Sequence, residues 1–537
     1  MKIIKKIFIY FILIFLSFGK LSIVEAYESL QGPTELLFWD KGETYDGYTL
    51  FAAGGDTYLI DMAGNMVHSW EGTGRNPRLL DNGNLLDSGK DKNEKFNLFF
   101  ELNWDNKIVW EYAEEREGYT AHHDWVRIFN KKLNAYTTLY IANKDLSLSE
   151  CIEAGCIWND KYEEPLQMDA IVEIDMDGNV VWEWWFFDHV IQDFNPQKKN
   201  YVGAGKEIAD YPEKLNLNLP GRLVKRDWLH SNSIDYNEDL DQVVINSVHG
   251  EFYVIDHGNT FVPGDPKQSI LLASSDWGDF LYRFGDPARY GQGKSPIIRD
   301  FWIYSSSEHK QIGGSHDIQW IDKGLPGEEN FLVFNNGQYL FERTNQSYIM
   351  EINPFLDIHG NNLGKYINPS YAGYKKIDAH KSTHKPWKFI SNQVVWTYGS
   401  KSNQGFFSHI GSGAQRLPNG NTLICSATEG HLFEITLDGN LVWEYINPVS
   451  KDGNILKVMP DNLPMTNSVF RAYRYNKDHP ALKGKDLDSF RKITDNLIGT
   501  KRHFFTRNKF IKSAIIIFLI FSVTLFFVLK FKRKRKL

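Results

Sequence analysis

The sequence has little cysteine, with three in 537 residues. Cys151 and Cys156 lie close together in CIEAGC, and a disulfide with a short loop is the expectation if this part of the chain is in an oxidising compartment. A zinc site there would need further ligands nearby, and the surrounding sequence offers none. Cys425, in TLICSA, has the setting of a buried strand residue.

Concentrated basic charge is also absent from the central part of the chain. Lys and Arg number 60 against 67 Asp and Glu, for a formal net charge of −7. Without a basic patch, nucleic-acid binding is excluded. The chain also lacks the P-loop pattern G-x-x-x-x-G-K-[ST] and the metal-binding HExxH pattern. We therefore predict neither a metal nor a cofactor.

Long hydrophobic runs occur only at the two ends. MKIIKK followed by IFIYFILIFLSF predicts a signal peptide over 1–26, cut after Ala26, and the alternative is an uncleaved anchor. Residues 511–530 are nearly all apolar and predict a transmembrane helix, and 531–537 form a basic cytoplasmic tail. With a juxtamembrane linker at 481–510, the expectation is a single-pass membrane protein whose globular part is extracytoplasmic.

Aromatic residues are abundant and recur in a six-fold signature. The copies are MVHSW (66–70), IVWEY (108–112), VVWEW (180–184), FLYRF (280–284), VVWTY (394–398) and LVWEY (441–445). Several follow a strand and an Asp-Gly or Asn-Gly turn, as in IVEIDMDGNVVWEW, which is typical of a hairpin. Further strand pairs such as RLLDNGNLLD complete about four strands per unit.

Six four-stranded units predict an all-β fold, a six-bladed β-propeller over 30–480 with insertions near 185–225 and 350–390. A β-sandwich with accidental aromatic recurrence is the alternative. The repeated tryptophans are predicted to pack the blade cores; they are Trp110, Trp182, Trp396 and Trp443.

Histidines occupy matching places in three consecutive units, where the innermost strand of the next blade begins. AHHDWVRI places His122 and His123 there, DWLHSNSIDY places His230 and Asn232, and GGSHDIQW places His316. Equivalent positions on successive blades converge on the propeller axis, so these side chains should meet at one end of the channel. The other units offer Arg75, Ser412 and Arg471 at the corresponding places.

Such a ring of imidazoles has three possible roles. It can bind a metal, it can carry out acid–base or nucleophilic chemistry on an anion, or it can plug the channel passively. Asp317, which follows His316, either orients an imidazole or belongs to a structural turn.

Several long stretches resemble the bacterial arylsulfate sulfotransferase family, from about Leu36 to Tyr475. They are DWLHSNSIDYNEDLDQVVINSV, FLYRFGDPARYGQG, GGSHDIQWIDKGLPGEENFLVFNNG, SGAQRLPNGNTLICSATEGHLFEITLDGNLVWEYINP and VFRAYRY. The resemblance implies a six-bladed propeller that transfers a sulfuryl group from a phenolic sulfate ester to another phenol without a nucleotide donor. Aryl sulfates and phenols are then the expected small-molecule partners.

The same resemblance assigns roles to the channel residues. It implies that His316 is the transiently sulfurylated nucleophile, that His230 and Asn232 bind the sulfuryl oxygens, and that His123, or less closely His122, is the remaining channel histidine.

One departure from the family affects the anion site. The family has an arginine where this chain has Val248, so the charge comes from His249, Arg283 or Arg471, or the activity differs. A non-catalytic, membrane-tethered propeller that binds a glycan or a protein is the alternative function.

Overall fold

The structure is a computed structural model that describes the chain in twelve stretches. They are 32–90, 97–157, 166–219, 227–294, 307–338, 340, 346–368, 372–375, 387–400, 405–457, 466–488 and 491–497. The chain divides into two compact units, Met1–Thr494 and Asp495–Leu537. The predicted signal peptide, membrane segment and basic tail lie outside the described residues. Among the residues that are described, no helix is both long and apolar enough to cross a bilayer.

The described secondary structure is mostly short antiparallel strands. In chain order they are β1 (Glu35–Trp39), β2 (Gly47–Ala53), β3 (Asp56–Ile60), β4 (Asn65–Glu71), β5 (Arg78–Leu79), β6 (Leu85–Gly89), β7 (Leu98–Leu102), β8 (Ile108–Ala113), β9 (Tyr119–Asn130), β10 (Ala135–Leu146), β11 (Leu166–Asp175), β12 (Val180–Trp185), β13 (Val190–Ile191), β14 (Leu215–Asn216), β15 (Ser231–Asn237), β16 (Gln242–Ser247), β17 (Glu251–Asp256), β18 (Phe280–Phe284), β19 (His316–Trp320), β20 (Phe331–Asn335), β21 (Tyr348–Ile352), β22 (Tyr374–Lys375), β23 (Ile390–Ser391), β24 (Val394–Tyr398), β25 (Gly413–Arg416), β26 (Thr422–Ser426), β27 (His431–Ile435), β28 (Leu441–Ile446), β29 (Ala472–Asn476) and β30 (Arg491–Lys492).

Among the described residues, helices are few and short. The α-helices are α1 (Leu148–Ala154) and α2 (Pro266–Ala273), and the 3₁₀ helices are Phe186–His189, Ile208–Asp210, Asp276–Gly278, Pro287–Tyr290, Ala427–Glu429, Pro480–Leu482 and Ile493–Leu497.

The strands form six blades, which confirms the predicted propeller and removes the sandwich alternative. Blade 1 is β29-β2-β3-β4-β30, blade 2 is β5 to β8, and blade 3 is β9 to β12. Blade 4 is β15 to β18, blade 5 is β19-β20-β21-β24, and blade 6 is β25 to β28 with β1 outermost. Residues 491–492, within the stretch predicted as a linker, thus add a strand to blade 1. In blades 2 to 5 the innermost strand is the first in the chain, as the repeat predicted, and in blade 6 it is the first of the run β25 to β28.

Blade 1 closes the ring by pairing the two ends of the propeller. Its innermost strand β29 comes from the end of the propeller and pairs with β2, in register from Gly47 with Asn476 to Phe51 with Ala472. A ring closed in this way leaves no long unpaired strand edge between its first and last blades.

The predicted hairpin turns are confirmed. Between β11 and β12, the Asp175 carboxylate accepts hydrogen bonds from the backbone N–H groups of Asp177 and Asn179. Gly178 supplies the positive φ, +84°, that this turn requires. The carboxylate therefore satisfies the turn's backbone donors, and the side chains of Asp61, Asn103 and Thr436 accept in the same way in other blades.

The aromatic signature joins neighbouring blades as well as packing their cores. Trp182 and Trp443 are fully buried, as predicted, but Trp110 and Trp396 are only half-buried. A ring N–H or O–H in the outer strand of each blade donates to the following blade at 2.7 to 3.1 Å. The pairs are Trp70 with Asn103, Trp110 with Met176, Trp182 with Thr260, Tyr282 with Gln393, Trp396 with Leu437 and Trp443 with Met62. One hydrogen bond thus crosses every blade interface.

Three interfaces add a buried ion pair beside this aromatic ring. An arginine on an inner strand pairs with a glutamate of the preceding blade and lies over that blade's tryptophan, with the guanidinium carbon 4.4 to 4.9 Å from the ring centroid. The groups are Arg127 with Glu101 and Trp110, Arg416 with Glu351 and Trp396, and Arg474 with Glu434 and Trp443. Because the pair joins the innermost strand of one blade to the third strand of the preceding blade, it fixes their relative position.

Insertions decorate blades 3 to 5. Blade 3 carries α1 and the Cys151–Cys156 disulfide, which confirms the expected bridge. The stretch after β12 contains the parallel pair β13-β14, within the insertion predicted near 185–225. The described part of the one near 350–390 includes β22. Cys425 is buried in β26, as expected.

Replacement of Trp182 by phenylalanine should destabilise the propeller. It removes a buried donor to Thr260 and part of a buried ring, which together cost about 2–4 kcal/mol in the free energy of unfolding. Denaturant titration or the thermal midpoint measures this. The control is Trp277→Phe, because Trp277 is 63% exposed; an equal loss of stability in both variants would show that the interface contact is not the cause.

Candidate functional site

The site forms where the innermost strands of blades 3 to 6 begin, and the backbone there is strained. His123, His230, Asp317 and Ser412 all have positive φ, between +51° and +83°. In blades 3, 4 and 5 the pairing of the first two strands also shifts register at this point. Such bulges redirect side chains, here toward the axis. The repeat predicted that these side chains meet at the axis. The positive φ values and the register shifts are the backbone features that direct them there.

Arg471 occupies the axis and joins three blades. Its Nη1 donates to Asp124 at 2.8 Å, its Nε lies 3.2 Å from Asp317, and its Nη2 donates to the carbonyl of Asn232 at 3.1 Å. The guanidinium is 1% exposed. Asp317 also accepts from the backbone N–H of Ala414, so it serves the axial framework rather than an imidazole.

His316 is held as a neutral ring in one tautomer. Its Nδ1 lies 2.8 Å from the carbonyl of Gly314 and 2.9 Å from the side-chain oxygen of Asn336. Both partners only accept, so the proton is on Nδ1 and Nε2 keeps its lone pair. Burial, followed by the nearby positive charge of Arg471, lowers the pKa of His316 to about 4.

Two further contacts fix this arrangement. The amide nitrogen of Asn336 donates to the carbonyls of Ser408 and Gly411, which orients its oxygen toward His316. The backbone N–H of Gly411 points at Nε2 of His316 from 3.3 Å, a long contact that agrees with an unprotonated Nε2. At neutral pH, Nε2 of His316 is therefore unprotonated and keeps its lone pair.

His122 and His123 form a hydrogen-bonded pair next to it. Their Nδ1 atoms lie 2.7 Å apart, and Nε2 of His122 lies 3.0 Å from Asp169. Burial, then the charges of His122, His230, His316 and Arg471, hold the pKa of His123 well below its ordinary value. The ring of His123 is also closer to His230 than the ring of His122 is, with centroids 4.6 and 6.5 Å apart.

His230 completes the cluster from blade 4. Its ring centroid lies 4.6 Å from that of His123, and its Nδ1 lies 2.5 Å from Asp227. The histidine side chain is 36% exposed, which makes it the open side of the cluster. Val248 is adjacent, since its N–H donates to the carbonyl of His230 and its carbonyl accepts from Gly314. The family's arginine position thus lies beside the cluster.

The remaining predicted residues take different places. Asn232 is fully buried and donates to the carbonyl of Ser315, directly behind His316. Ser412 is buried and accepts from the N–H of Ala427. His249 is buried in the turn between β16 and β17, and Arg75 is exposed in the loop before β5. Contact of these residues with a substrate stays a prediction.

Arg283, one of the predicted sources of positive charge, is wrong for that role. Arg283 lies on the outer strand β18. Its guanidinium pairs with Glu251 and donates to the carbonyls of Pro212 and Lys214. An outer strand lies a full blade width from the axis, so this charge cannot reach His316. Arg471 lies on the axis instead, and its charge contributes to lowering the pKa of His316 and of His123; its role toward a substrate anion stays a prediction.

Sequence reasoning missed the residues that orient the histidines. Asn336 lies in FNNG and resembles an ordinary turn residue, and Asp169 lies inside a strand with no motif around it. Asp227 precedes His230 by three residues, a spacing that could have pointed to it. Asn76, next to Arg75, donates to Asp124 on the axis.

A cavity of about 160 Å³ lies farther along the inner strands, and none of the site histidines lines it. Its polar lining includes Arg78, Asp235, Asp317, Gln319, Gln415 and Tyr473. Burial raises the pKa of Asp235 to about 7. Within the described ranges, no group of three or more His, Cys, Asp or Glu side chains is arranged to hold a metal ion.

Fold and site together define a six-bladed β-propeller with a neutral histidine and a histidine cluster at one end of its axis. The family model for arylsulfotransferase (ASST) matches residues 157–457, more than half of the chain. The chain therefore belongs to the arylsulfotransferase family.

Other comparisons are more distant. No curated protein sequence matches the chain significantly. The solved structures that are similar to it include the following three. A protein of unknown function from Bacteroides caccae is 12% identical, with a TM-score of 0.38 over 80% of this chain and 100% of that one. The Cps50 (Swd1) β-propeller domain of Myceliophteria thermophila is 10% identical, with a TM-score of 0.31 over 80% and 88%. The WD40 domain of Toxoplasma gondii coronin is 7% identical, with a TM-score of 0.31 over 79% and 76%. None of these likenesses bears on function.

His316 should stay neutral well below the usual range of histidine. With a pKa of about 4, it is protonated in about one molecule in ten at pH 5. Long-range ¹H–¹⁵N spectra of histidine-labelled protein, assigned with His316→Gln, should show the Nδ1–H tautomer from pH 8 to pH 5. An unstructured histidine peptide, which titrates near 6.5, is the reference; a midpoint for His316 near that value would contradict the assigned environment.

Proposed function

We propose that the protein transfers a sulfuryl group from a phenolic sulfate ester to a phenolic acceptor through a covalent intermediate on His316. The observation that carries this is the bare Nε2 of a buried, neutral His316, with its proton fixed on Nδ1 by Gly314 and Asn336. A neutral imidazole nitrogen is a nucleophile, and membership of the arylsulfotransferase family supports sulfur as its target.

In the first half-reaction, Nε2 of His316 attacks the sulfur in line with the departing aryl oxygen. An N–S bond forms as the S–O(aryl) bond breaks, and the long contact from Gly411 N–H to Nε2 is displaced. His123 gives its proton to the phenoxide that leaves. The intermediate keeps the Nδ1 proton, and its positive ring is stabilised by the Gly314 and Asn336 oxygens.

In the second half-reaction, an acceptor phenol takes the place of the first. His123 removes its proton, the phenol oxygen attacks sulfur, and the N–S bond breaks to return neutral His316. The same base and acid are used in opposite directions, as two chemically similar half-reactions require.

Stabilisation of the sulfuryl oxygens falls to donors near Val248. In this proposal His230 is an imidazolium that is paired with Asp227 through Nδ1 and donates its Nε2–H to one oxygen, because it is the exposed histidine of the cluster. Arg471 does not bind the sulfuryl oxygens directly, because its Nη atoms already donate to Asp124 and to the carbonyl of Asn232. It contributes positive electrostatic potential to the site instead. Loss of the family's arginine is thus offset by a buried charge at longer range.

We also propose that the propeller works outside the cytoplasm, tethered by residues 511–530. The Cys151–Cys156 disulfide supports an oxidising compartment. No feature of the described residues favours a non-catalytic binding module over an enzyme.

Incubation with 4-nitrophenyl sulfate and phenol tests the proposal. The protein should release nitrophenol and form phenyl sulfate, and mass spectrometry of the quenched enzyme should find one SO₃ group on the peptide with His316. His316→Ala should lose turnover entirely, whereas His359→Ala, at an exposed position in an insertion, should not. Appreciable transfer by His316→Ala would disprove a histidine-linked intermediate.

A further inference from the structure

We propose that Asp169 and His122 form a proton relay behind His123, so that the proton taken from the acceptor phenol comes to rest on His122. This inference rests on the proposed function and adds two positioning residues to it. Asp169 lies on β11, two strands away from the axis, and touches none of the reacting atoms in that scheme.

Asp169 is held as an oriented acceptor. One carboxylate oxygen accepts from both the N–H and the hydroxyl of Ser231, each at 2.8 Å. The other oxygen lies 3.0 Å from Nε2 of His122. Hydrogen bonds to a carboxylate favour its charged form, so Nε2 of His122 must carry the proton in this contact.

The tautomers of both histidines follow from that one proton. In the sulfurylated enzyme, before the acceptor reacts, His122 is neutral: Nε2 carries its proton and Nδ1 is unprotonated. The Nδ1 of His123, 2.7 Å away, must then donate to it. That leaves Nε2 of His123 bare, as a base toward the site. The chain from Asp169 through His122 to His123 thus sets the protonation of the nitrogen that meets the phenol.

The charges around the pair indicate where a second proton is stable. His123 is surrounded by His122, His230, His316 and Arg471, and burial adds to their effect in disfavouring an imidazolium there. On His122 the same charge lies against the Asp169 carboxylate. Because one ring is electrostatically disfavoured and the other is paired, the proton should move on from His123.

The relay balances in both directions. When the acceptor attacks, its O–H proton goes to Nε2 of His123, and the Nδ1 proton of His123 goes to Nδ1 of His122. His123 ends neutral and His122 becomes an imidazolium paired with Asp169. The free enzyme therefore holds this second proton on His122. When the donor ester is cleaved, Nε2–H of His123 protonates the leaving phenoxide and the Nδ1 proton of His122 returns to Nδ1 of His123. His123 is neutral before and after each transfer.

Two substitutions distinguish proton transfer to His122 from a purely structural role in which His122 and Asp169 only hold the His123 ring in place. Gln at position 122 can donate to Asp169 and accept from His123, so His122→Gln keeps the hydrogen bonds but cannot take a proton. Asp169→Asn removes the charge that stabilises the imidazolium. Matched controls are His359→Gln and Asp177→Asn, both at exposed positions.

The measurement follows the two half-reactions separately. Enzyme mixed with 4-nitrophenyl sulfate alone reports the first as a burst of nitrophenol, a leaving group that needs little protonation. The sulfurylated enzyme is then discharged with phenol, which needs a base, or with pentafluorophenol, which is already ionised at neutral pH. Burst amplitude counts competent sites in the same sample, so the discharge rates do not depend on the folded fraction.

Both variants should keep a burst of about one equivalent and lose about a hundredfold in discharge by phenol, the range of acid–base catalysis. Discharge by pentafluorophenol should change by less than about threefold, and the controls should match the wild type. The relay is overturned if His122→Gln discharges normally with phenol, if phenol and pentafluorophenol are slowed equally, or if both variants lose the burst. Absence of a burst from the wild-type protein would instead refute the proposed function.

Discussion

The buried ion cluster around Arg471 is the constraint on which the site depends. One guanidinium from blade 1 joins Asp124 of blade 3 and Asp317 of blade 5, and it also binds the backbone of blade 4. Buried charges are stable only when every partner is in place, so the cluster fixes three inner strands relative to one another. It also supplies positive potential that lowers the pKa of His316 and of His123.

The strain at the site is supported by the blades around it. Four non-glycine residues with positive φ lie where the inner strands begin, each at a cost of about 1–3 kcal/mol. The interface hydrogen bonds of the aromatic signature, together with the Arg–Glu pairs beneath the tryptophans, hold the blades in the positions that require this strain. The repeat therefore has a functional consequence: a rigid ring lets irregular backbone persist at its centre.

The histidines of the cluster divide the work because their environments differ. His316 has two acceptors on one nitrogen and none of the carboxylates that His122 and His230 contact. It is therefore suited to form a bond through its other nitrogen, while His122 is suited to hold a proton. His122, His230 and His316 occupy matching places in the repeat. Their chemistry differs because His122 contacts Asp169, His230 contacts Asp227, and His316 contacts Gly314 and Asn336.

From the sequence alone, periodicity determined the six blades, the hairpins and the meeting of His123, His230 and His316, because a closed symmetric repeat brings equivalent positions to one axis. Short-range chemistry also predicted the Cys151–Cys156 bridge. Only the tertiary structure decided that Arg471 lies on the axis while Arg283 pairs with Glu251, and that Asn336, Asp169 and Asp227 contact the histidine rings. These partners come from other strands or loops outside the repeat pattern. Hydrogen bonds are made across space within about 3 Å, a distance that no periodicity along the chain encodes.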